Sequence, residues 1–355
     1  MHPISRQIID WFRVNSRDLP WRKTRNPYFI WLSEVILQQT RVAQGTAYYQ
    51  RFISRFPSVS HLAAASQDEV LEVWQGLGYY SRARNLHATA RLISEKWGEK
   101  FPEKYSDLIG LKGIGPYTAA AVSSFAFGED QAVLDGNVIR VLTRLFSIKE
   151  EVSKPSVVRK LRETAFQLLP PGQSYEFNQG IMELGAIVCT PRSPDCPHCP
   201  VRVFCEAFKA GIQQDLPVKK KAAVKKVRYL NYLIAECEDH ILLKKRGPDD
   251  IWEGLYEPLL AEAKHPFTRS EEFMDAFPAL FSREATVRIF SPVRHLLTHQ
   301  ELWVTFGKCR LENLSEIENA IWVNISESKA FAKPVVVSKF LGEDIKSALS
   351  LDFKN

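Results

Sequence analysis

No stretch of this 355-residue chain approaches the roughly 18–20 uninterrupted apolar residues that a membrane helix needs. The opening segment MHPISRQIIDWFR carries charges inside its apolar run and lacks a small-residue cleavage site. No secretory signal is therefore expected, and the expected location is the cytoplasm. Period-two alternation is almost missing before residue 209, which argues against a strand-rich architecture there. There is no solenoid-type repeat, and no low-complexity tract beyond one lysine-rich run. Cysteine is scarce outside one cluster. Cys237 and Cys309 stand alone, whereas Cys189, Cys196, Cys199 and Cys205 lie within 17 residues. Thiols grouped in this way, with no export signal, point to a metal site before a disulfide framework.

The chain is 45% hydrophobic and 25% charged, a balance that excludes wholesale disorder. At roughly 100–200 residues per domain its length predicts two or three domains. The net charge of +6 says little until it is divided along the chain. Residues 1–208 hold 25 basic and 20 acidic side chains, and residues 209–228 hold 7 and 1. Residues 229–355 hold 15 and 20, so a polyanion would meet the first two-thirds of the chain.

Apolar residues recur at spacings of three and four in segments 3–14, 32–56, 68–78, 81–97, 116–127, 136–146 and 155–168. This predicts a helical domain over 1–208. Lys219-Lys220-Lys221 and Lys225-Lys226-Val227-Arg228 mark 209–228 as an exposed basic linker. Beyond it the texture turns to strands at 229–237, 240–245, 287–290, 302–309 and 320–323, with helices expected at 270–277 and 335–350. Residues 229–355 read as a smaller α+β domain.

Three features carry chemistry. The thiols are spaced Cys-x6-Cys-x2-Cys-x5-Cys, and four such ligands suit either zinc or an iron–sulfur cluster. A zinc ribbon pairs two Cys-x2-Cys units and only one is present, which tilts the spacing toward a cluster without deciding it. Four thiols in a metal-free core are disfavoured by Pro191, Pro194, Pro197 and Pro200. Next, Gly113-Ile114-Gly115-Pro116 forms a tight turn before an Ala-rich helix. Such a turn can aim backbone N–H groups at a phosphate, although a plain helix–turn–helix corner has the same signature. Last, Asp135 precedes Gly136-Asn137 at the start of a helix, where an aspartate commonly acts as an N-cap. A capping carboxylate is also suited to a reaction that passes through a sugar cation.

Taken with Leu19-Pro20-Trp21-Arg22, Trp31 to Thr40 and Gly76 to Leu86, these motifs resemble the helix-hairpin-helix DNA glycosylases with an iron–sulfur cluster. That superfamily also includes endonuclease III. The nearest resemblance is to the adenine DNA glycosylase family, MutY, over residues 10–208 and more weakly to the C-terminus. It implies removal of adenine facing 8-oxoguanine or guanine in double-stranded DNA, a [4Fe-4S] cluster on Cys189, Cys196, Cys199 and Cys205, and a monomer without membrane association. By the same resemblance Glu34 is the general acid and Asp135 stabilises the sugar cation, with Tyr117 and Asn137 orienting Asp135 and the water. Trp21, Arg22 and Gln179 surround the extruded adenine. Gln39 and Tyr79 enter the base stack, and Gly113 and Gly115 meet the DNA backbone. Read bare, Glu34 in an apolar helix would be a salt-bridge partner, and Tyr79 would as readily be a core aromatic.

The same fold hosts glycosylase/lyases of the endonuclease III kind, which act on oxidised pyrimidines through a lysine Schiff base. Here that position is Tyr117, which cannot form one, so a monofunctional glycosylase using water is expected. A silent DNA-binding protein is the third reading, opposed by the Glu34/Asp135 pair. Residues from 229 resemble the family's Nudix-like lesion-recognition domain through Leu242 to Arg246 and Trp252 to Glu257. The Arg-Glu-x2-Glu-Glu frame that holds Mg²⁺ in hydrolytic Nudix enzymes is missing from 258–277, so a binding module is expected. Arg294 to His299 matches the loop where the family has Phe-Ser-His, but with Leu297-Thr298 in place of Phe-Ser. Thr298 and His299 are the expected lesion contacts.

Overall fold

Proline opens helix after helix in the first two-thirds of the chain. It stands at the first helical position of α1 (Pro3–Asn15), α2 (Pro27–Leu37), α8 (Pro116–Phe127) and α10 (Pro155–Leu168). There the missing N–H is one the helix could not use, and the fixed φ is already helical. The computed structural model describes residues 1–220, 224–281, 286–314 and 316–342. The remaining helices of this part are α3 (Val42–Arg55), α4 (Val59–Ala64), α5 (Gln67–Trp74), α6 (Ser81–Trp97), α7 (Tyr105–Leu108), α9 (Gly136–Leu145), α11 (Ser174–Ile187) and α12 (Glu206–Lys209). Single 3₁₀ turns lie at Pro20–Arg22, Cys196–His198 and Arg202–Phe204.

The described residues divide into two compact units. One lies within Met1–Ala64 and Asn85–Lys221, the other within Ala65–Arg84 and Ala222–Asn355. In the first unit the expected helix over 32–56 is two helices, α2 and α3, broken at Gln38 to Arg41. Gln39 sits there at φ 59°, a left-handed conformation that a helix cannot accommodate. Helix α11, which no periodic segment had marked, packs against α1 and α9. Two glycines permit this. A Cβ at Gly180 would come within 2.9 Å of the Ile8 side chain, and one at Gly185 within 2.6 Å of Asn137 Cβ.

The second unit holds an eight-stranded sheet among its described residues: β1 (Lys226–Cys237), β2 (His240–Lys245), β3 (Tyr256–Glu257), β4 (Leu259–Ala263), β5 (Arg288–Ile289), β6 (Val293–Leu296), β7 (Gln300–Arg310) and β8 (Ala320–Asn324). The sheet path is β3-β2-β1-β7-β5, with β4 on β1, β6 on β7 and β8 on β2. Only β1 and β7 are parallel, in register from Lys226↔Gln300 to Glu236↔Arg310. Both faces of β1 are covered. Leu230, Tyr232 and Ile234 pack with Leu302, Val304, Phe306 and with Val336 and Val337 of α14 (Val335–Leu341). Leu233 and Ala235 pack on the other face with Leu242, Leu259 and Phe273 of α13 (Ser270–Ala276). Covering by helices on both sides explains why Tyr232 to Ala235 of β1 are buried in succession on both faces. Residues 258–277, where a hydrolytic Nudix enzyme would need its glutamate-rich helix, hold β4 and the short α13, which carries Glu271 and Glu272 without the Arg-Glu-x2-Glu-Glu frame. The expected helix at 335–350 is seen as α14, and residues 343–350 lie outside the described set. Among the described residues no helix is long and apolar enough to cross a membrane.

Candidate active site and cysteine loop

Helix α2 buries Glu34, which is 5% exposed. The hydroxyl of Tyr117, on the first turn of α8, donates to Glu34 Oε2. Burial pushes the Glu34 carboxyl up to about 7, helped by the nearby Asp135 charge and opposed by the Tyr117 hydrogen bond and by Arg22. The bare reading of Glu34 as a salt-bridge partner is therefore wrong: its bonded partner is a neutral tyrosine.

Asp135 is the N-cap of α9, as its position predicts. Its Oδ1 accepts from the backbone N–H groups of Asn137 (2.9 Å) and Val138 (2.7 Å), and its Oδ2 from Asn137 Nδ2 (2.7 Å). Burial raises this carboxyl too, but three N–H donors and the charge of Arg140 act against the rise. Among the described residues Glu34 has a single donor. Asp135 is therefore better supplied with donors to hold a negative charge than Glu34 is.

Arg22 ends the 3₁₀ turn Pro20–Arg22. Its Nε donates to Gln179 Oε1 (2.9 Å), its Nη2 to Glu183 Oε2 (2.8 Å) and its Nη1 to Arg17 O (3.1 Å). Trp21 is buried edge-on against Tyr49, with ring centroids 5.4 Å apart. Gln38, at the end of α2, bonds Thr118 of α8 through Nε2 (3.2 Å).

At the glycine turn, Gly113 has φ 77°, and a Cβ there would lie 2.6 Å from Asn85 Cβ. Gly115 caps α8 with open space around it. No acceptor among the described residues takes either amide, so both are available to an anion at the start of α8.

In the second unit Tyr79 is 46% exposed at φ 49° and so is not a core aromatic. Its hydroxyl is hydrogen-bonded to Thr298. Thr298 and His299 are exposed in the turn between β6 and β7, which Leu297 N–H closes onto Gln300 O (2.9 Å). Leu297 itself is partly buried against the core. Lys225 Nζ donates to Leu297 O (2.7 Å), so the end of the basic linker braces this turn.

All four clustered cysteines are half-buried and free of disulfides. Burial pushes the Cys199 thiol up to about 12 and raises those of Cys196 and Cys205, and in each case neighbouring cysteines add to the rise. Among the described residues no three His, Cys, Asp or Glu side chains are gathered as a metal-ion site. The thiols still fit an electron-deficient iron group in kind: four sulfur donors in one short loop, near enough to act on one another, beside a cation. Arg144, 1% exposed, places Nη1 3.3 Å from Cys189 Sγ and 2.8 Å from Thr190 O. One turn earlier, Arg140 bonds Cys189 O (2.7 Å) and Asn137 Oδ1 (2.8 Å). Sequence reasoning missed both arginines, and also Glu183 and Gln38, because an arginine in an amphipathic helix carries no signal of its partner.

The sequence model of the HhH-GPD superfamily base excision DNA repair proteins matches residues 32–167, and that of the NUDIX domain matches residues 231–343. The adenine DNA glycosylase of Buchnera aphidicola subsp. Baizongia pistaciae is 31% identical over 342 residues, covering 94% of each chain. This chain belongs to the adenine DNA glycosylase family. The Homo sapiens adenine DNA glycosylase is 43% identical over 218 residues, 59% of this chain and 40% of that protein. Among solved structures, a thermostable thymine-DNA glycosylase is 29% identical with a TM-score of 0.53, covering 58% of this chain and 95% of the other. An endonuclease III–DNA complex shares the fold at 23% identity and TM-score 0.51. Adenine DNA glycosylases thus resemble this chain across both the helical and the strand-rich parts, and the glycosylase structures match about the length of the helical part alone.

Proposed function

We propose that this adenine DNA glycosylase of base excision repair hydrolyses the N-glycosidic bond of adenine facing 8-oxoguanine or guanine, and leaves an abasic site. The observation that carries the mechanism is the asymmetry between two neighbouring buried acids, one poised near neutral pH and the other rich in N–H donors. Glu34 gives its proton to a ring nitrogen of the extruded adenine, and the bond between sugar carbon and base breaks with its electron pair leaving on the base. Asp135 faces the resulting oxocarbenium ion as a carboxylate. Water adds to the sugar carbon and its proton returns to Glu34, the division of labour of paired carboxylates in glycoside hydrolysis.

Tyr117 bonds Glu34 and has no amine for a Schiff base, so the endonuclease III-like lyase alternative is not favoured. Arg22, Gln179 and Trp21 form the adenine pocket, with Asn137 orienting Asp135. Gln39 and Tyr79, both held at positive φ, enter the base stack, and strained backbone of this kind concentrates at working sites. Gly113 and Gly115 receive a DNA phosphate. Residues 1–208 carry excision, 209–228 tether, and 229–355 read the lesion through Thr298 and His299. The Tyr79–Thr298 hydrogen bond supports that assignment by joining the stacking residue to the lesion turn. Cys189, Cys196, Cys199 and Cys205 would hold a [4Fe-4S] cluster, which when bound would cross-link the loop that Arg140 and Arg144 tie to α9, its net negative thiolate-ligated charge facing Arg144.

The test is a labelled duplex with adenine opposite 8-oxoguanine, incubated with the protein and then divided with and without hot alkali. Cleavage at adenine only after alkali is expected. Strand breakage without alkali would favour a lyase, and no cleavage in either arm a silent binder.

A further inference from the structure

Glu183 lies one helical turn after Gln179 on α11, and its side chain is fully buried. Its Oε1 accepts from Arg17 N (2.9 Å) and Nε (2.8 Å), and its Oε2 from Arg17 Nη2 (2.7 Å) and Arg22 Nη2 (2.8 Å). Four donors use the full accepting capacity of a carboxylate. Burial alone would raise this acid, but the two arginines outweigh it and hold it down to about 2. Glu183 is therefore charged at every working pH.

We infer that Glu183 is a positioning residue of the adenine pocket, which locks the Arg22 guanidinium and through it the amide of Gln179, and which neutralises Arg22 as seen from Glu34. Arg22 spends Nε on Gln179, and one N–H each on Glu183 and on Arg17 O. Among the described residues this leaves one N–H on each terminal nitrogen for the substrate. Because Gln179 Oε1 is the atom facing Arg22, its amide nitrogen is the end turned away. Rotamer freedom in Arg22 would loosen both groups at once.

The electrostatic part follows from where charge stands around Glu34. Helix α8 presents Tyr117, the start of α9 presents Asp135, and the Pro20–Arg22 turn presents Arg22. Helix α3, also against α2, presents Gly45 to Leu37. Among the described residues Arg22 is the cation that acts on Glu34. The counter-charge behind Arg22 therefore decides how strongly it drains the proton from the acid.

This rests on Glu34 being the general acid, and the two ideas fail separately. The measurement is the pH profile of single-turnover adenine release by the full chain with its cluster, for the wild type, Glu183→Gln, Arg17→Gln and Glu34→Gln. A wild-type alkaline limb that Glu34→Gln abolishes along with activity tests the acid. Glu183→Gln removes a negative charge, favours the carboxylate form of Glu34, and should move the limb to lower pH by about one unit, a tenfold rate loss above it. Arg17→Gln removes a positive charge and should move it upward. A structural prop would lower the rates without displacing the limb in opposite directions. Limbs that stay in place, or that move the same way, overturn the role. If Glu183→Gln does not fold, the upward shift in Arg17→Gln decides alone.

Discussion

Two buried glutamates of this chain accept a hydrogen bond from a tyrosine, and they differ in what else they touch. Among the described residues Glu34 in the helical unit accepts from Tyr117 and has no arginine hydrogen-bonded to it. Glu257 in the sheet unit accepts from Tyr232 (2.7 Å) and from Arg246 Nη1 (2.7 Å). Around Glu257 the pattern repeats. Arg228 is forked onto Asp250, with both distances 2.7 Å, and onto Glu262 at 2.8 and 2.6 Å. Asp250 and Glu262 are held below the usual carboxylate range by Arg228. Burial raises Glu257 as it raises Glu34, but Arg246 opposes the rise by direct contact. An arginine in contact opposes the rise that burial causes at Glu257, whereas Glu34, bonded to a tyrosine hydroxyl, is pushed up to about 7. The same contrast explains why the Nudix-like unit reads as a binding module. Asp250, Glu257 and Glu262 are already committed to Arg228 and Arg246, which leaves these three poor ligands for Mg²⁺.

If that contrast is right, neutralising the two glutamates has opposite consequences. Glu34→Gln should slow adenine release by about 10³-fold, within the usual span for losing general acid catalysis, with the melting temperature held or raised. Single-turnover kinetics and a thermal melt check both halves. Glu257→Gln should cost about 1–3 kcal/mol of stability by weakening the hold on Arg246, while the folded enzyme excises adenine opposite guanine at the wild-type rate. Denaturant titration alongside the same kinetics measures this, and a loss of rate in the folded protein would break the division. The smallest effect belongs to the β6–β7 turn. Thr298→Val keeps the shape and removes the hydroxyl, so preference for 8-oxoguanine over guanine should fall by about tenfold, one hydrogen bond's worth. Equal losses on both substrates would remove Thr298 from lesion reading.

Much of this was legible before any coordinates. Helices α6, α8 and α10 lie where their apolar spacing predicted, and β2 at His240–Lys245 matches the expected strand. Asp135 as an N-cap followed from residue type and position alone. Helix α11 was missed because it buries polar Asn178, Gln179 and Glu183 among its apolar residues and contains Gly180 and Gly185, which weaken a helical reading although they permit close packing. The short strands β3, β4 and β6 take their identity from β1, β2 and β7 more than from their own sequence. Glu183 was invisible for a different reason: its partner Arg17 is 166 residues away. No local pattern encodes such a pair, whereas Glu34 and Tyr117 stood inside motifs. What the motifs could not convey was the sign of the surroundings, namely which acid is starved of donors and which is fed.

That sign is open to direct measurement. In protein carrying ¹³C-labelled glutamate carboxyls, with Glu34→Gln as the blank that assigns the signal, carboxyl NMR or isotope-edited infrared spectra should show Glu34 losing its proton near pH 7. A Glu34 carboxyl that is already ionised at pH 5 would contradict the account.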